Sequence, residues 1–233
     1  MGRLSGASKP ITHIQLGRAP YAPVLDLQRD LHALRQCGAC GDVLITVEHD
    51  PVFTVGRRGS ADNILVSPER LEQAGITVHR IERGGDITYH GPGQLVCYPI
   101  LDLREYEKDL KGYIGRLEAT IMRTLSRFGI AGDRMAGRPG IWIDGKKIAS
   151  IGVHVRQWIT MHGIALNVDV NHDHFAMIRP CGMDVEIVSM SQFGHAGLPL
   201  EPVRDAWLLE AAAEFGWCLS LEPEAAWSGV ADV

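Results

Sequence analysis

The sequence has no excess of positive charge and no long apolar run. Its 233 residues include 23 Lys and Arg against 28 Asp and Glu, which gives a formal net charge of -5. Without a basic surface, the chain has little to attract nucleic acid or an anionic membrane. No segment approaches the roughly 20 apolar residues of a membrane-spanning helix, and residues 1–10 lack the apolar core of a signal peptide. We therefore expect a cytoplasmic protein that binds neither nucleic acid nor membrane.

Cysteines are few, odd in number and scattered, which argues against a disulfide framework. They are Cys37, Cys40, Cys97, Cys181 and Cys218. Cys37 and Cys40 have the spacing of a redox motif, but they follow a predicted helix instead of opening one, which argues against a redox role. No cysteine pair is matched by a second Cys or His pair, and the His172-Asp173-His174 run falls in an irregular loop. We predict no metal and no cofactor.

Apolar periodicity alternates along the chain between the pattern of strands and the pattern of helices. The predicted strands are 11–16, 43–47, 52–55, 76–81, 94–100, 141–143, 146–155 and 160–170, and the predicted helices are 24–34, 68–73, 110–128 and 203–215. No linker or repeat divides the chain. We predict one α+β domain over residues 11–222, with a disordered lead (1–10) and a loosely held tail (223–233).

A glycine-rich stretch at residues 83–93 interrupts the predicted strands. Gly84 and Gly85 allow the backbone to approach a ligand closely with its N–H groups exposed. The spacing fits neither a dinucleotide fingerprint nor a phosphate-binding loop. A purely structural turn is the alternative. Tyr89 and His90 favour a site, because both carry polar atoms that need hydrogen-bond partners when buried.

Two lysines stand where a predicted hairpin returns after its turn at Asp144-Gly145. Alternation places Lys146 and Lys147 on opposite faces, and Lys147 is the inward candidate if it shares a face with Ala149 and Ile151. An inward lysine beside a cysteine favours the thiolate or takes the thiol proton. A solvated lysine is the alternative.

Cys181 lies between a proline that restricts the backbone and a glycine that frees it. This setting suits a presented nucleophile. The alternative is a small buried apolar side chain, which is the common environment of a cysteine. Local composition alone leaves both interpretations open.

Five ordered blocks resemble the lipoyl(octanoyl) transferase family. They are Arg-Gly-Gly-Asp-Ile-Thr-Tyr-His-Gly-Pro-Gly-Gln (83–94), Gly-Arg-Pro-Gly-Ile-Trp (137–142), Lys-Ile-Ala-Ser-Ile-Gly (147–152), His-Gly-Ile-Ala-Leu-Asn (162–167) and Pro-Cys-Gly (180–182). The resemblance implies a fold like the catalytic domain of biotin and lipoate ligases: a mixed β-sheet flanked by helices, with a smaller second sheet. The sequence departs from the family's pattern at Asp86 and in residues 182–186.

By resemblance, Cys181 corresponds to the acyl-thioester nucleophile and Lys147 to the general base or acid that activates it. The substrate-binding positions implied by the resemblance are Arg83, Gly84, Gly85, Asp86, Ile87, Thr88, Tyr89, His90, Ser150, Ile151, Gly152, Gly163, Ile164 and Ala165. The implied reaction is the first step of protein lipoylation. An octanoyl group passes from acyl carrier protein to a lysine of the lipoyl domains of 2-oxoacid dehydrogenase E2 subunits or of the glycine-cleavage H protein, without ATP. An apolar slot for the chain is expected near Tyr89, Ile151 and Ile164.

Three alternatives remain open from the sequence. The first is an ATP-dependent lipoate or biotin ligase, which needs no nucleophilic cysteine. The second is a non-catalytic module that binds lipoylated or biotinylated proteins. The third is a Cys-His hydrolase that uses His90 or His162, which ranks low because an exposed thioester would waste the acyl group.

Overall fold

Two β-sheets and the helices around them make up the fold of the computed structural model, which describes residues 8–179 and 185–221. The strands are β1 (Lys9–Ala19), β2 (Asp42–His49), β3 (Val52–Val55), β4 (Thr77–Arg80), β5 (Ile87–His90), β6 (Gln94–Ile100), β7 (Asp133–Met135), β8 (Arg138–Ile143), β9 (Lys146–Arg156), β10 (Ile159–Asn167) and β11 (Trp217–Leu221). The helices of this part of the chain are α1 (Tyr21–Gln36), α2 (Pro68–Gln73), α3 (Leu110–Arg127), α4 (His172–Phe175) and α5 (Leu200–Phe215). Cys181, residues 1–7 of the predicted lead and the predicted tail lie outside the described residues.

The larger sheet has eight strands in the order β11-β1-β2-β6-β10-β9-β8-β7. β1 pairs in parallel with both β11 and β2, while the remaining pairs are antiparallel, so the sheet is mixed. The smaller sheet has the order β4-β3-β5. The predicted fold class is therefore confirmed: a mixed sheet flanked by helices, with a smaller second sheet.

Each face of the larger sheet carries its own apolar core. On one face, α3 and α5 contribute side chains such as Leu117, Ile121 and Trp207, which are fully buried. On the other face, α1 packs Val24 and Leu31 against β2 and β6. Burying an aliphatic or aromatic side chain of this size contributes roughly 1.5–3 kcal/mol relative to exposure. The two cores therefore fix both faces of β10, which lies at the middle of the sheet.

Sequence reasoning places several elements correctly because their signals are local. α3 begins after Asp109, whose carboxylate accepts a hydrogen bond from the Lys111 N–H, and it ends at Arg127, shortly before Gly129, where φ is 72°. The turn between β8 and β9 has φ of 49° at Asp144 and 80° at Gly145, as a two-residue hairpin turn requires. Both features were predicted from residue type and spacing.

Other elements differ from the sequence-based prediction. β1 begins at Lys9, two residues before the predicted strand, because Lys9 pairs with Trp217 of β11, a strand that the sequence did not predict. The glycine-rich stretch was predicted to lack regular structure, yet its second half forms β5, which pairs with β3 in the smaller sheet. The predicted strand 160–170 ends at Asn167, since the next two N–H groups both donate to the Gly93 carbonyl. These differences depend on partners distant in the sequence.

No helix among the described residues combines the length and apolar character that a membrane crossing requires.

His49 is a buried histidine whose neutral ring is built into the fold. Its Nδ1–H donates to the Ala19 carbonyl at 3.1 Å, and its Nε2 accepts from the Tyr98 hydroxyl at 2.9 Å. Burial lowers the pKa of His49 from 6.5 to about 4. In the window between these values the unfolded chain binds a proton that the folded chain does not. Stability is therefore lost as pH falls through that window.

We expect the His49→Gln variant to lose less stability in acid than the unmodified protein. Glutamine retains polar atoms for both partners but cannot titrate. Between pH 6 and pH 5, the dependence of unfolding free energy on pH should flatten by about 1.4 kcal/mol per pH unit, the contribution of one proton. Urea denaturation at pH 7, 6 and 5 measures this difference. Parallel pH dependences for the two proteins would show that His49 does not titrate as described.

Candidate active site

Two of the predicted substrate-binding segments lie directly opposite each other in the larger sheet. Residues 150–152 of β9 pair with residues 163–165 of β10, with Ser150 opposite Ala165 and Gly152 opposite Gly163. A Cβ at Gly163 would overlap the Cys97 carbonyl oxygen of the neighbouring strand. The absence of a side chain at this position therefore allows β6 and β10 to lie close together.

The first half of the glycine-rich segment packs against the same part of β9. The Gly84 N–H donates to the Val153 carbonyl at 3.0 Å, and a Cβ at Gly152 would lie 3.0 Å from Arg83 Cδ. The buried Arg83 guanidinium donates to the Thr54 carbonyl and hydroxyl oxygens at 2.5 and 2.9 Å. These contacts bring the Arg83–Gly85 turn next to the paired segments of β9 and β10.

The second half of that segment belongs to the smaller sheet. The Asp86 carboxylate accepts from Asn63 Nδ2 at 2.7 Å, and Ile87 is buried in the apolar core of this sheet. Thr88 pairs with Thr54 across β3 and β5. Tyr89 is fully buried, shares a 2.9 Å hydrogen bond with His174 Nδ1, and has its pKa raised by burial to about 12. These four side chains therefore lie in or beside the smaller sheet.

The structure does not bring Tyr89, Ile151 and Ile164 into one apolar slot, contrary to the sequence-based expectation. Tyr89 packs in the core of the smaller sheet, whereas Ile164 is buried in the core beneath α3 and α5, and Ile151 packs against that second core. Adjacent residues in a strand point to opposite faces, so Ile151 and Ile164 face away from the surface that Gly152 presents to Arg83. Ser150 and Gly152 lie on that surface instead.

His90 begins a hydrogen-bonded chain that ends beside the segment following Cys181. His90 Nδ1–H donates to Gln94 Oε1 at 2.7 Å, and Gln94 Nε2 donates to Asn167 Oδ1 at 2.9 Å. Asn167 Nδ2 in turn donates to the Val188 carbonyl at 3.1 Å. In each of the two amides, the oxygen accepts a hydrogen bond from the preceding group and the nitrogen donates one to the following group. This series of hydrogen bonds fixes the orientation of both amides and the tautomer of His90.

Burial keeps the two candidate histidines neutral. It lowers the pKa of His90 well below 6.5, and the neighbouring His49 lowers it further. Burial also lowers the pKa of His162 to about 3. A general base works best with a pKa near the operating pH. Neither imidazole is therefore matched to accept a thiol proton at neutral pH.

Lys147 is half-buried, and it lies on the face opposite to the one predicted. Trp142 pairs with Lys147 while the preceding residue of β8 pairs with Ala149, so Ile148 is an extra residue in β9. Ile148 and Ala149 are both buried in the core beneath α3 and α5. This β-bulge breaks the alternation on which the sequence-based assignment depended.

The side chain of Lys147 lies along Gly140. A Cβ at Gly140 would be 2.7 Å from Lys147 Cε and would overlap the Ala149 carbonyl oxygen. Because Gly140 pairs with Ser150, this contact places Lys147 on the same face of the sheet as Ser150. Lys147 Nζ also lies 5.1 Å from the centroid of the Trp142 ring, within the range of a cation–π interaction.

The predicted nucleophile, Cys181, lies outside the described residues, but the chain on both sides of it is anchored. Before it, the Arg179 N–H donates to the Asn63 carbonyl at 2.8 Å. After it, the Lys147 N–H donates to the Glu186 carbonyl at 2.8 Å, and the Lys147 carbonyl accepts from the Val188 N–H at 3.0 Å. The described residue before Cys181 is thus bonded to Asn63, the partner of Asp86, and the described residues after it are bonded to the backbone of Lys147.

The other cysteines and the His172–His174 run have local structural environments. Cys97 is fully buried and its pKa is raised well above 9.0 by burial, as expected for a structural thiol. Cys37 follows the end of α1, as predicted, and burial raises the pKa of Cys40. His172 Nε2 and His174 Nδ1 form hydrogen bonds with different partners, the hydroxyls of Ser189 and Tyr89.

Comparison with known proteins identifies the family. The family model of the lipoyl protein ligase A/B catalytic domain matches residues 20–212. The chain belongs to this family. An octanoyltransferase of Solibacter usitatus is 46% identical over 180 residues, which cover 77% of this chain and 82% of that protein. An octanoyltransferase of Gloeobacter violaceus is 44% identical over 204 residues, which cover 87% and 89% of the two chains. The resemblance seen in the sequence, and the prediction of an enzyme, are confirmed.

Solved structures of ligases share the fold. The crystal structure of a lipoate-protein ligase A bound with ATP has a TM-score of 0.74 at 15% identity, covering 95% of this chain and 92% of the other. A biotin protein ligase from Aquifex aeolicus, in complex with biotin and ATP, has a TM-score of 0.54 at 11% identity, covering 88% and 70%. At these identities the likeness concerns the fold alone.

Gln94, Gly140 and Asn167 lie in blocks that resemble the family, but the sequence predicted no role for them. Gln94 and Asn167 are each the last residue of such a block, where a polar amide stands at the edge of an apolar strand. Such a residue needs partners when buried, as both are here. Nothing in the sequence pointed to Gly140, because the side chain that it accommodates, that of Lys147, becomes its neighbour only through the pairing of β8 and β9.

We expect Gly140→Ala to lower the free energy of unfolding by about 2–4 kcal/mol, because the new Cβ meets the Ala149 carbonyl and Lys147 Cε at a φ of 126°. Gly115→Ala is the matched control. Gly115 lies in α3 with no atom within 4 Å of an added Cβ, so alanine should be neutral or stabilising by up to about 1 kcal/mol. Chemical denaturation compares the two. Equal stabilities would contradict the close packing of Lys147 on Gly140.

Proposed function

We propose that this chain transfers an octanoyl group from octanoyl-acyl carrier protein to a lysine of a lipoyl domain or of the glycine-cleavage H protein. The proposal includes a thioester on Cys181, Lys147 as general base and acid, the cytoplasm as compartment, and no need for ATP, metal or another cofactor. The relatives named octanoyltransferase support the reaction class. The observation that supports the mechanism most directly is that Lys147, Ser150 and Gly152 share one face of β9, beside the Arg83–Gly85 turn.

The first half of the proposed reaction loads the enzyme. The Cys181 thiol gives its proton to Lys147 Nζ, and the thiolate attacks the carbonyl carbon of the donor thioester. A new carbon–sulfur bond forms to Cys181, the bond to the carrier sulfur breaks, and the carrier thiolate takes a proton from Lys147. The Trp142 ring beside Lys147 Nζ supports this exchange because it stabilises the ammonium form that exists after the first proton transfer.

The second half unloads the enzyme. The amine of the acceptor lysine attacks the acyl carbon, an amide bond forms, and Cys181 leaves as a thiolate. Lys147 takes the proton that the acceptor nitrogen loses, and this proton returns to Cys181. One thioester is consumed and one amide is produced, so the enzyme ends as it began and no nucleotide is hydrolysed.

The small number of residues between Cys181 and the hydrogen-bonded residues on either side of it supports its assignment as the nucleophile. Arg179 precedes it by two residues and Glu186 follows it by five. An extended chain spans at most about 3.3–3.6 Å per residue. The anchor at Glu186 is a direct hydrogen bond to the backbone of Lys147, which supports a pairing of this cysteine with this lysine.

The alternatives find less support. A Cys-His hydrolase would need His90 or His162 as base, and burial lowers the pKa of both well below 6.5. A ligase would use ATP, which is bound in two of the structural neighbours. A binding module would retain its function without Cys181. Each alternative therefore predicts a different requirement for ATP or for the thiol.

Incubation with octanoyl-acyl carrier protein should add one octanoyl group to Cys181, measured by intact mass spectrometry and peptide mapping. Cys181→Ala should abolish the adduct. Cys37 and Cys218 are exposed thiols, so replacing both by alanine is the matched control and should leave the adduct in place. An unmodified protein, or an acceptor modified only from free octanoate and ATP, would contradict the proposal.

Lys147→Ala should slow acylation of Cys181 by about 10²–10⁴-fold, the usual contribution of a general base. Lys146→Ala is the control. Lys146 forms a surface ion pair with Glu186 at 2.6 Å, and exposed pairs contribute at most about 1 kcal/mol, so its rate should stay within about twofold of the parent. Quenched-flow mass spectrometry gives the rates, and melting temperatures confirm folding. A normal rate for a folded Lys147→Ala protein would remove Lys147 from the mechanism.

A further inference from the structure

Two neighbouring arginines, Arg57 and Arg58, lie in the loop that follows β3. Both residues are exposed, and neither forms an ion pair with a residue that the structure describes. Other exposed arginines do form one, and Arg18, for example, pairs with Asp50 at 2.8 Å. A positive charge without such a partner remains available to an anion. The loop is therefore a candidate anion site in a chain whose formal net charge is -5.

The backbone of this loop is held against the Arg83–Gly85 turn. The N–H groups of residues 56, 57 and 58 donate to the carbonyls of Asp86, Arg83 and Gly85 at 3.0, 3.1 and 3.3 Å. The backbone that carries both arginines is therefore ordered before any ligand binds. Binding is then opposed by a smaller loss of conformational entropy than it would be at a flexible loop.

The glycines on the two sides of the arginine pair make this close packing possible. A Cβ at Gly56 would lie 2.6 Å from the Gly85 carbonyl oxygen and 2.9 Å from Arg83 Nη1. A Cβ at Gly59 would lie 2.7 Å from Asp86 Oδ1. Glycine is the residue that permits such a close approach of the backbone. The Gly-Arg-Arg-Gly sequence at residues 56–59 thus fits the turn and leaves two guanidinium groups exposed.

Arg156 is a third exposed cation near this loop. It lies on β9 and, within the described part of the chain, also forms no ion pair. Burial lowers the pKa of His154 below 6.5, and the charges of Arg57 and Arg156 lower it further. Because such an effect weakens with distance, both guanidinium groups lie near His154. The positive charge in this region therefore comes from three arginines.

The carboxylates of the same region do not cancel these three charges. Glu82 is already paired with Arg29 at 3.1 Å. Asp86 lies against Gly59, and Asp62 follows the loop, so two carboxylates remain for three guanidinium groups. The region keeps a net positive charge, which favours the binding of an anion.

Two adjacent guanidinium groups suit the oxygens of a phosphate. A guanidinium is planar and presents its N–H groups as a fork, so it can bind two phosphate oxygens with parallel hydrogen bonds. In the proposed function, the donor thioester is carried on a phosphopantetheine arm, which has a phosphodiester at the end attached to the carrier protein. This phosphodiester is an anion that accompanies every donor molecule to the enzyme.

The length of the arm agrees with the position of the loop. About 13 bonds separate the sulfur of the arm from its phosphorus, which corresponds to roughly 15 Å when the arm is extended. Lys147 and Val153 are six residues apart on β9, at most about 20 Å. The Val153 carbonyl accepts from the Gly84 N–H of the turn that holds the loop. With the added length of an arginine side chain, a donor whose sulfur lies beside Lys147 can reach the loop with its phosphate.

We propose that Arg57 and Arg58 bind the phosphodiester of the donor's phosphopantetheine arm. The inference rests on the proposed function and adds to it the group by which the enzyme recognises its donor. The phosphodiester does not react, so it is bound equally in the ground state and in the transition state. Such an interaction lowers KM and leaves kcat unchanged.

Isothermal titration calorimetry with phosphopantetheine and with pantetheine tests the site without any acyl transfer. The two probes differ only in the phosphate group. The parent protein should bind phosphopantetheine about tenfold more tightly than pantetheine, the combined effect of two exposed charge pairs. In Arg57→Ala/Arg58→Ala the difference should fall below about twofold.

Lys108→Ala/Lys111→Ala is the matched control, because it removes the same number of positive charges. Both lysines are exposed at the start of α3, on the other face of the larger sheet, and neither has an ion pair with a described residue. This variant should keep the parent's tenfold preference for phosphopantetheine. Loss of the preference in the control as well would show that net charge, and not the loop, determines binding, which would overturn the site.

A second measurement uses octanoyl-acyl carrier protein as the donor. Arg57→Ala/Arg58→Ala should raise KM by about tenfold at an unchanged kcat, whereas the lysine control should match the parent. Acidic side chains of the carrier protein are the other source of negative charge. A raised KM for the carrier protein, combined with equal binding of the two small probes by the parent, would assign the arginines to those side chains and overturn the phosphate site.

The two proposals fail in different ways. If the arginine variant keeps the parent's preference for phosphopantetheine, the phosphate site is wrong, and the transfer is judged by acylation of Cys181 alone. If the preference depends on the arginines but octanoyl-acyl carrier protein does not acylate the parent, the loop binds phosphate and the proposed function is wrong.

Discussion

The antiparallel pairing of β9 with β10 is the constraint on which the candidate site depends. It places Gly152 opposite Gly163, and the missing side chain of Gly152 leaves room for Arg83 of the Arg83–Gly85 turn to pack there. A side chain at Gly163 would overlap a backbone oxygen of β6, and a side chain at Gly152 would crowd Arg83. The register therefore cannot slip by one residue without placing Ile151 or Ile164 in those positions. Core packing on the opposite face, where both isoleucines lie, enforces the same register.

A single extra residue in β9 decides what this face can do chemically. Without the bulge at Ile148, Lys147 would alternate with Ala149 and lie in the apolar core beneath α3 and α5. An unpaired ammonium there would cost several kcal/mol of desolvation. The bulge turns Lys147 onto the Ser150 face instead, where Gly140 leaves room for its stem and Trp142 offers a ring to its charge. One inserted residue thus moves a lysine from a destabilising position to one beside Gly140 and Trp142.

The sequence predicted the local features and missed those that depend on distant partners. The Asp144-Gly145 turn, the span of α3 and the strand at 94–100 followed from residue type and period, because a turn or a helix face is specified within a few residues. The bulge at Ile148, the role of Gly140 and strand β5 did not, since each depends on a neighbouring strand. The family resemblance, and not geometry, selected Lys147 as the general base, and that assignment stays a prediction. The facing argument, which grouped Lys147 with Ala149 and Ile151, was wrong because of the bulge.

The described residues on the two sides of Cys181 form hydrogen bonds with different parts of the fold. The geometry of the candidate site therefore depends on how these parts are placed relative to each other. Before Cys181, the Arg179 N–H bonds to Asn63, whose side chain also bonds Asp86, the residue that precedes β5. After it, Glu186 and Val188 bond to Lys147 and Asn167 of the larger sheet. The amide chain from His90 to Val188 then ties the end of β5 to that second anchor through Gln94. A buried amide without a hydrogen-bond partner is unfavourable in free energy. A shift of one sheet against the other would break several of these hydrogen bonds together. The arrangement favours one fixed geometry for the described residues that bond to Asn63, Lys147 and Asn167.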